Sequence, residues 1–475
     1  MNINGKPFPI TLELHDIITR LRSAGAKHTY VVGGSVRDYI MGQAINDYDM
    51  EIYGLTNEQI SKAVEGLGAI SYVGEKFKVL KLRHSSGREY DLALPRREIK
   101  IGPLHTDFYV SEDPFMDPLQ ASERRDYTIN SIMYDPVEDI LIDPYNGVHD
   151  IALKVLRPTS AKFEEDAPVR ILRGMQFAGR FGFKLQSRYS SYMSNLTRYA
   201  FTASRERVWG EWYKWAAKSK YPSFGIEFLL DAGWLYLYPE IYNLIGCEQD
   251  PRHHPEGDAF IHTLICTDRM VDRCEAFGIK EDTDERAMLV FTALYHDVAK
   301  PPTTVREKDG SITSNGHDQL GAKMIPAAME KLGRVNPDQK KADHMVEAIQ
   351  ILTANHMRHL SLKNPSKHNV RRLAADVGNL RHLSHIVWAD NSARPPHQIG
   401  LPPQMEAIMK IASEIEIEDK KPVRILNGSM LIELGLKPGP TFKKLIEAAY
   451  QAQLDGVFED EAGALVWIKK EISAT

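Results

Sequence analysis

Residues 31–42 read VVGGSVRDYIMG and residues 46–54 read NDYDMEIYG, and the reading of these two stretches decides the fold. His28–Val32 is a short β-branched and aromatic run ending in Gly33 and Gly34, the pattern of a strand entering a tight turn. Ser35 is expected to cap a short helix through Ile40, with Gly42 just past its end. Such a turn suits an anion, because backbone N–H groups approach a phosphate closely and a helix N-terminus carries about half a positive charge. Arg37, one turn into the helix, is expected to reach the same phosphates. Taken alone, the Gly-Gly pair is equally a plain strand-to-helix connection, and the second stretch is what makes it specific. Side chains alternate along a strand, so Asp47, Asp49 and Glu51 share one face. Carboxylates crowded on a rigid strand repel unless a cation neutralises them, which points to Mg2+ at Asp47 and Asp49. Asp91, opposite in alternation to Tyr90, Leu92 and Leu94, is placed to supply a third carboxylate from a neighbouring strand.

Outward from this centre, residues 1–160 read as mixed α/β. Leu12, Ile17, Ile18 and Leu21 give residues 11–24 a helical period that stops at Gly25, and residues 79–83 and 89–94 alternate as strands. From about Phe163 helical periodicity takes over. Residues 157–220 hold 13 Lys/Arg against 5 Asp/Glu, with 12 aromatics interleaved, Trp209, Trp212, Tyr213 and Trp215 among them. Residues 226–395 are helical and rich in histidine, a Pro-rich linker follows, and residues 402–475 form a small helical tail.

The chain as a whole has 475 residues, 43% hydrophobic and 26% charged, with a formal charge of −5. That is ordinary globular composition with material for several cores. No apolar run approaches the ~18 residues of a membrane span, the first ten residues lack the features of a signal peptide, and three cysteines give no disulfide framework. A cytoplasmic location with no membrane partner is the default expectation. The acidic total discourages a nucleic-acid partner, but the basic, aromatic stretch at 157–220 shows that the average hides a segregation of charge.

These motifs, with RRDYTINSI at 124–132, DPYNG at 143–147, VLR at 155–157 and VRILRGMQFAGRFGF at 169–183, resemble the class II tRNA nucleotidyltransferase and bacterial poly(A) polymerase superfamily. The likeness is colinear over about the first 220 residues. It implies an α+β chain: a nucleotidyltransferase head with a mixed sheet (1–160), an all-α neck (161–225), a helical body (226–395) and the helical tail. It implies two Mg2+ ions on Asp47 and Asp49, with Asp91 beside them, and attack of an RNA 3′-hydroxyl on the α-phosphate of a nucleoside triphosphate. Gly33, Gly34, Ser35 and Arg37 would position the triphosphate; Arg125, Asp126 and Asn130 would contact ribose and phosphates. On the neck, Asp166 and Arg170 would read the base edge and Arg173 would join the nucleotide site. The family spacing is Glu-Asp-x-x-Arg, and here one extra residue separates Asp166 from Arg170, leaving them i, i+4 and expected on one helix face, with Pro168 tolerable only in the first turn. Arg198, Arg205 and Arg207 would hold the RNA.

The same resemblance names the ligands: tRNA, CTP and ATP, giving a CCA-adding enzyme, with CC-only or A-only addition and poly(A) polymerase as alternatives. Glu75, where poly(A) polymerases are basic, favours the tRNA enzymes. A protein uridylyltransferase with a hydrolase unit is the alternative from another class; Arg37-Asp38 and the RRD motif oppose it.

Residues 287–297, AMLVFTALYHD, end an apolar helix in His296-Asp297, a costly pair to bury without a cation. With His262 upstream and Asp390 downstream they resemble an HD phosphohydrolase, His317 and His356 being further candidate ligands. The resemblance implies a second divalent ion, Mn2+ or Ni2+, and phosphatase or phosphodiesterase chemistry. The alternative is a degenerate HD fold kept for RNA binding. Oligomeric state is left open.

Overall fold

The computed structural model describes residues 7–45, 47–73, 79–100, 108–334, 343–396 and 399–474. The chain divides into two compact units: residues 1–215 with 224–235, and residues 216–223 with 236–475.

The first unit is built on a seven-stranded sheet. In chain order its opening elements are α1 (Leu12–Ser23), β1 (His28–Val32), α2 (Gly34–Ile40), β2 (Tyr48–Tyr53), α3 (Asn57–Ala63), β3 (Gly68–Val73), β4 (Val79–His84) and β5 (Glu89–Ala93). A hairpin of β6 (Arg96–Lys100) and β7 (Phe108–Glu112) stands apart, and α4 (Pro118–Glu123), β8 (Met133–Asp135), β9 (Ile140–Ile142) and α5 (Gly147–Leu153) follow. The sheet order is β3-β4-β5-β2-β1-β8-β9. All its ladders are antiparallel except β2 with β5. That parallel pair sets Asp49 in register with Asp91.

Alternation assigns the two faces. On one, Tyr30, Val32, Tyr53 and Met133 pack with Met116 and Ala121. The other carries buried Val31, Met50, Ile52, Leu80 and Leu92. α1 begins as expected, with Thr11 accepting from the Leu14 N–H, and buries Leu14, Ile17, Ile18 and Leu21. The neck helix α6 (Ala167–Phe181) starts with Pro168 in its first turn and stops at Gly182, which adopts φ 68°. Sequence patterning missed β3, β6, β7, β8 and β9, which are short or lack clean alternation. It also placed the helix cap two residues late: Gly33 is the cap of α2, and the Ser35 hydroxyl donates to Val32 O instead of capping.

Among its described residues the second unit is helical apart from one short hairpin, Val305–Arg306 with Ile312–Thr313. Its body comprises the helices Ala259–Ala276, Asp284–Tyr295, His317–Lys331, His344–Asn355, Lys367–Val377 and Leu380–Ser392. At the C-terminus Leu426, Met430, Leu431, Ala449, Phe458, Ala464 and Ile468 form a separate small core. No described helix is long and apolar enough to cross a membrane.

Candidate active site and metal centre

At the turn after β1, Gly33 adopts φ 72°, a conformation that L side chains rarely take. A β-carbon there would lie 3.4 Å from Arg125 Nη1 and 3.5 Å from Asp49 Oδ2. The absent side chain therefore leaves open a point where backbone, a guanidinium and a carboxylate converge. Gly33→Ala is expected to destabilise the first unit by about 1–2 kcal/mol and to raise the KM for nucleotide; thermal unfolding and initial rates check this.

Asp49 and Asp91 face each other across β2 and β5, and Asp47 precedes β2 by one residue. Loss of water around Asp49 and then the charges of Asp91 and Asp47 hold its carboxyl above the ordinary value, with Arg125 pulling the other way. Lys81 on β4, opposite Asp91 in register, places Nζ 3.3 Å from Asp91 Oδ1. This donor set fits Mg2+: hard carboxylate oxygens, mutually repelling, on adjacent strands. Glu51 shares their face but is buried, at 1% exposure, and accepts from Arg124 Nη2 at 2.8 Å, Arg125 Nη2 at 3.4 Å and the Tyr53 hydroxyl at 3.1 Å.

The RRD segment folds onto this turn. Asp126 accepts from the Tyr127 N–H (2.7 Å), Asn130 Nδ2 (2.9 Å) and Arg173 Nε (2.5 Å). Burial opposes ionisation of Asp126, but the Arg173 charge and these hydrogen bonds outweigh it and hold the carboxyl below its ordinary value. Arg37, expected to reach phosphates, is buried beside the turn, with Nη2 3.5 Å from where a Gly34 β-carbon would stand. It donates to Asp38 Oδ1 (2.9 Å) and Asn130 Oδ1 (2.7 Å), and its guanidinium lies over the rings of Phe181 and Phe177 at 4.7 and 5.4 Å.

The neck also departs from expectation. Asp166 is the cap of α6, not a member of its first turn, so Asp166 and Arg170 do not share a helix face. The Asp166 carboxylate takes both Arg207 amino groups (3.0 and 2.5 Å), while Arg170 donates to the Lys162 and Arg124 carbonyls, each at 2.7 Å. Arg207 is thus an ion-pair partner rather than a free surface cation. Arg198 lies over Tyr199 and reaches Glu164 at 3.6 Å. Arg205, at the start of the helix Arg205–Lys218, remains in that basic stretch. Glu75 lies outside the described residues.

In the second unit, six side chains singled out from sequence converge. His262 Nε2 is 3.2 Å from Asp390 Oδ1 and 3.7 Å from Asp297 Oδ2; His296 Nε2 and His317 Nε2 each lie 3.2 Å from Asp297, and His356 Nε2 lies 3.9 Å away. Each ring is oriented by its other nitrogen: His296, His317 and His356 bond Ala293 O, Ser314 O and Thr353 O through Nδ1, and His262 bonds Glu256 Oε1 at 2.7 Å. All Nε2 atoms therefore face inward, as imidazoles behave around a metal. Two ligand groups overlap at Asp297: His262, His296 and Asp297, and Asp297, His317 and His356. His262 Nε2, His296 Nε2 and Asp297 Oδ2 are buried with no properly oriented hydrogen-bond partner among the described residues, which a divalent ion would relieve. Lys300 Nζ sits 2.6 Å from Asp297 and Arg394 Nη2 2.5 Å from Asp390, and both cations line a cavity of about 540 Å³ opening on the cluster.

Sequence reasoning assigned no role of their own to Glu51, Arg124, Lys81, Glu256, Lys300 and Arg394. The i+3 and i+4 spacings from Asp297 and Asp390 were available for Lys300 and Arg394. Glu51 was readable as the next residue on the Asp47–Asp49 face, whereas the Lys81–Asp91 contact depends on strand register.

A glycine turn after a strand, with in-register carboxylates beside it, in a sheet-based unit that a helical unit follows along the chain, defines the nucleotidyl-transferring class of fold. The poly(A) polymerase head domain family matches residues 29–157. The Multifunctional CCA protein of Teredinibacter turnerae is 34% identical over 313 residues, covering 65% of this chain and 70% of that one. Among solved structures, the Bacillus stearothermophilus CCA-adding enzyme in complex with CTP aligns over 98% of both chains with a TM-score of 0.59 and 18% identity. The Thermotoga maritima CCA-adding enzyme complexed with tRNA aligns over 96% of this chain and 95% of that one, with a TM-score of 0.56 and 19% identity. The chain belongs to the superfamily of CCA-adding enzymes and poly(A) polymerases.

Proposed function

We propose that the chain is a tRNA nucleotidyltransferase that adds C, C and A to tRNA 3′ ends from CTP and ATP. The observation that carries this reading is the pairing of Asp49 with Asp91 beside the Gly33 turn, in a chain 34% identical to a Multifunctional CCA protein. Asp47 and Asp49, with Asp91, would hold Mg2+, which when bound acidifies the attacking hydroxyl and neutralises the departing pyrophosphate. Gly33 leaves room for the triphosphate and Arg125 offers it a guanidinium. Asp126 and Asn130, preset by Arg173 and Arg37, would take the ribose and phosphates. Asp166 would accept from the exocyclic amine that C and A share, with Arg207 steadying it. For Arg170 to join in reading the base, it would have to release the Lys162 and Arg124 carbonyls. In domain terms the head spans 1–160, the neck 161–225, the HD body 226–395 and the tail 402–475.

A second activity is proposed for the HD body, supported by the inward-facing imidazoles around Asp297. His262, His296, Asp297 and Asp390, with His317 and His356, would hold a transition-metal ion such as Mn2+ or Ni2+, which when bound supplies an activated water for phosphoester hydrolysis. Lys300 and Arg394 stand where a phosphate would enter.

The test offers tRNAs ending before CCA, after C and after CC, with labelled CTP or ATP. Incorporation of both nucleotides, halting at three additions, is expected. Long A tails would select the polymerase instead, and no incorporation with Mg2+ would sink both readings.

A further inference from the structure

Glu51 continues the face of Asp47 and Asp49 but makes no approach to solvent. A lone carboxylate buried to this degree is strongly unfavourable unless matched by cations and hydrogen bonds. Both of its oxygens are matched: Oε1 by Arg124 Nη2 at 2.8 Å, and Oε2 by Arg125 Nη2 at 3.4 Å and the Tyr53 hydroxyl at 3.1 Å. Two guanidinium groups and a phenol hydroxyl thus converge on this one buried carboxylate.

The far side of Arg125 shows what this anchoring serves. Its Nη1 donates to Asn130 O at 3.4 Å and lies 3.4 Å from where a Gly33 β-carbon would stand, with Asp49 Oδ2 beside that same point. One guanidinium thus spans from a buried carboxylate to the edge of the turn. Arg124, held by the other oxygen, lends its carbonyl to Arg170 Nη2 on the neck helix at 2.7 Å. An arginine free in solution samples many rotamers, and fixing it beforehand removes that entropic cost from ligand binding.

We infer that Glu51 is a positioning residue for nucleotide binding: it fixes Arg125 beneath Gly33, aimed at the phosphates of the incoming nucleotide, and takes no part in holding Mg2+. The inference rests on nucleotide addition as proposed above, so wild-type incorporation is measured alongside and its absence would count against that reading instead.

Glu51→Gln keeps the shape and removes the charge. The KM for CTP and ATP is expected to rise about tenfold, with the KM for tRNA and the Mg2+ concentration for half-maximal rate each within twofold of wild type. Arg125→Gln is expected to lose at least as much, and adding Glu51→Gln to it should cost less than a further twofold, because the residue being positioned is already gone. Thermal unfolding accompanies each variant. If Glu51→Gln does not fold, the charge-balanced Glu51→Gln/Arg124→Gln replaces it in the same cycle. Independent, multiplicative losses would reduce Glu51 to a structural ion pair and overturn the inference. So would a large shift in Mg2+ dependence, which would make Glu51 a ligand, or an unchanged nucleotide KM.

Discussion

Asp49→Asn is expected to lower CMP and AMP incorporation by about 10³-fold or more, while leaving the protein as stable as wild type or slightly more so. On the function proposed above, Asp49 would hold the catalytic ion, and removing such a carboxylate forfeits several kcal/mol of transition-state stabilisation; about 4 kcal/mol corresponds to 10³ in rate. Stability moves the other way because the native state strains this group. Asp49 has lost water and faces Asp91 and Asp47, so its carboxyl is raised above the value it has in an unfolded chain. The folded protein therefore binds that proton more readily than the unfolded one. Stability contributed by this site is gained as pH falls through the folded value and is missing at neutral pH. Asparagine removes the charge at every pH, so the variant should melt no lower than wild type at pH 7 and lose any stabilisation that mild acid gives at this site. Active sites that trade stability for chemistry behave in this way. Rates within tenfold of wild type, or a clearly lower melting point at pH 7, would show that Asp49 is an ordinary structural carboxylate.

Residues whose chemistry is local were legible in the sequence. Gly33, Asp47, Asp49 and the RRD run announce themselves by spacing along one strand or turn, and alternation placed Asp91 on the correct face before any register was known. The histidine cluster was also readable, because a buried His-Asp pair at the end of an apolar helix demands compensation wherever the rest of the chain lies. Contacts fixed by tertiary packing were not readable. Arg37 was expected at the phosphate turn; that it also braces Asn130 and lies over Phe177 and Phe181 depends on where the neck helix passes. The i, i+4 argument for Asp166 and Arg170 assumed one continuous α-helix, but the residues before Ala167 form a 3₁₀ turn, and the change of helix type breaks the shared face. Glu51 failed to stand out for a different reason. A strand-face carboxylate next to two others reads as a further metal ligand, and only burial and two arginines reveal that its charge is already spent.

Asp297→Ala is expected to abolish metal binding in the second unit and, with it, any divalent-metal-dependent hydrolysis of phosphoesters by at least 10³-fold, while CCA addition stays within about threefold. Asp297 is the one residue common to both ligand groups, with four imidazole nitrogens and the Lys300 ammonium within 4 Å of its oxygens. Removing it leaves Lys300, itself 7% exposed, without its carboxylate, and breaking a buried ion pair by deleting one partner costs about 3–5 kcal/mol. A drop in melting temperature therefore accompanies the loss of metal, and a second variant separates the two effects. His356→Gln removes one ligand, keeps polar volume and leaves the Lys300–Asp297 pair in place, so it should weaken metal retention with a smaller stability loss. Elemental analysis of the purified proteins and hydrolysis of a generic phosphodiester with added Mn2+ or Ni2+ read out the site, and labelled CTP and ATP incorporation reads out the head. Full metal content in Asp297→Ala would show that the imidazoles hold the ion without it. Metal absent from the wild type after incubation with Mn2+ and Ni2+ would leave the inward-facing rings as a hydrogen-bonded core. Loss of addition in a folded His356→Gln variant would mean that the two chemistries are not separate, since no residue of this cluster belongs to the unit that carries Asp47, Asp49 and Asp91.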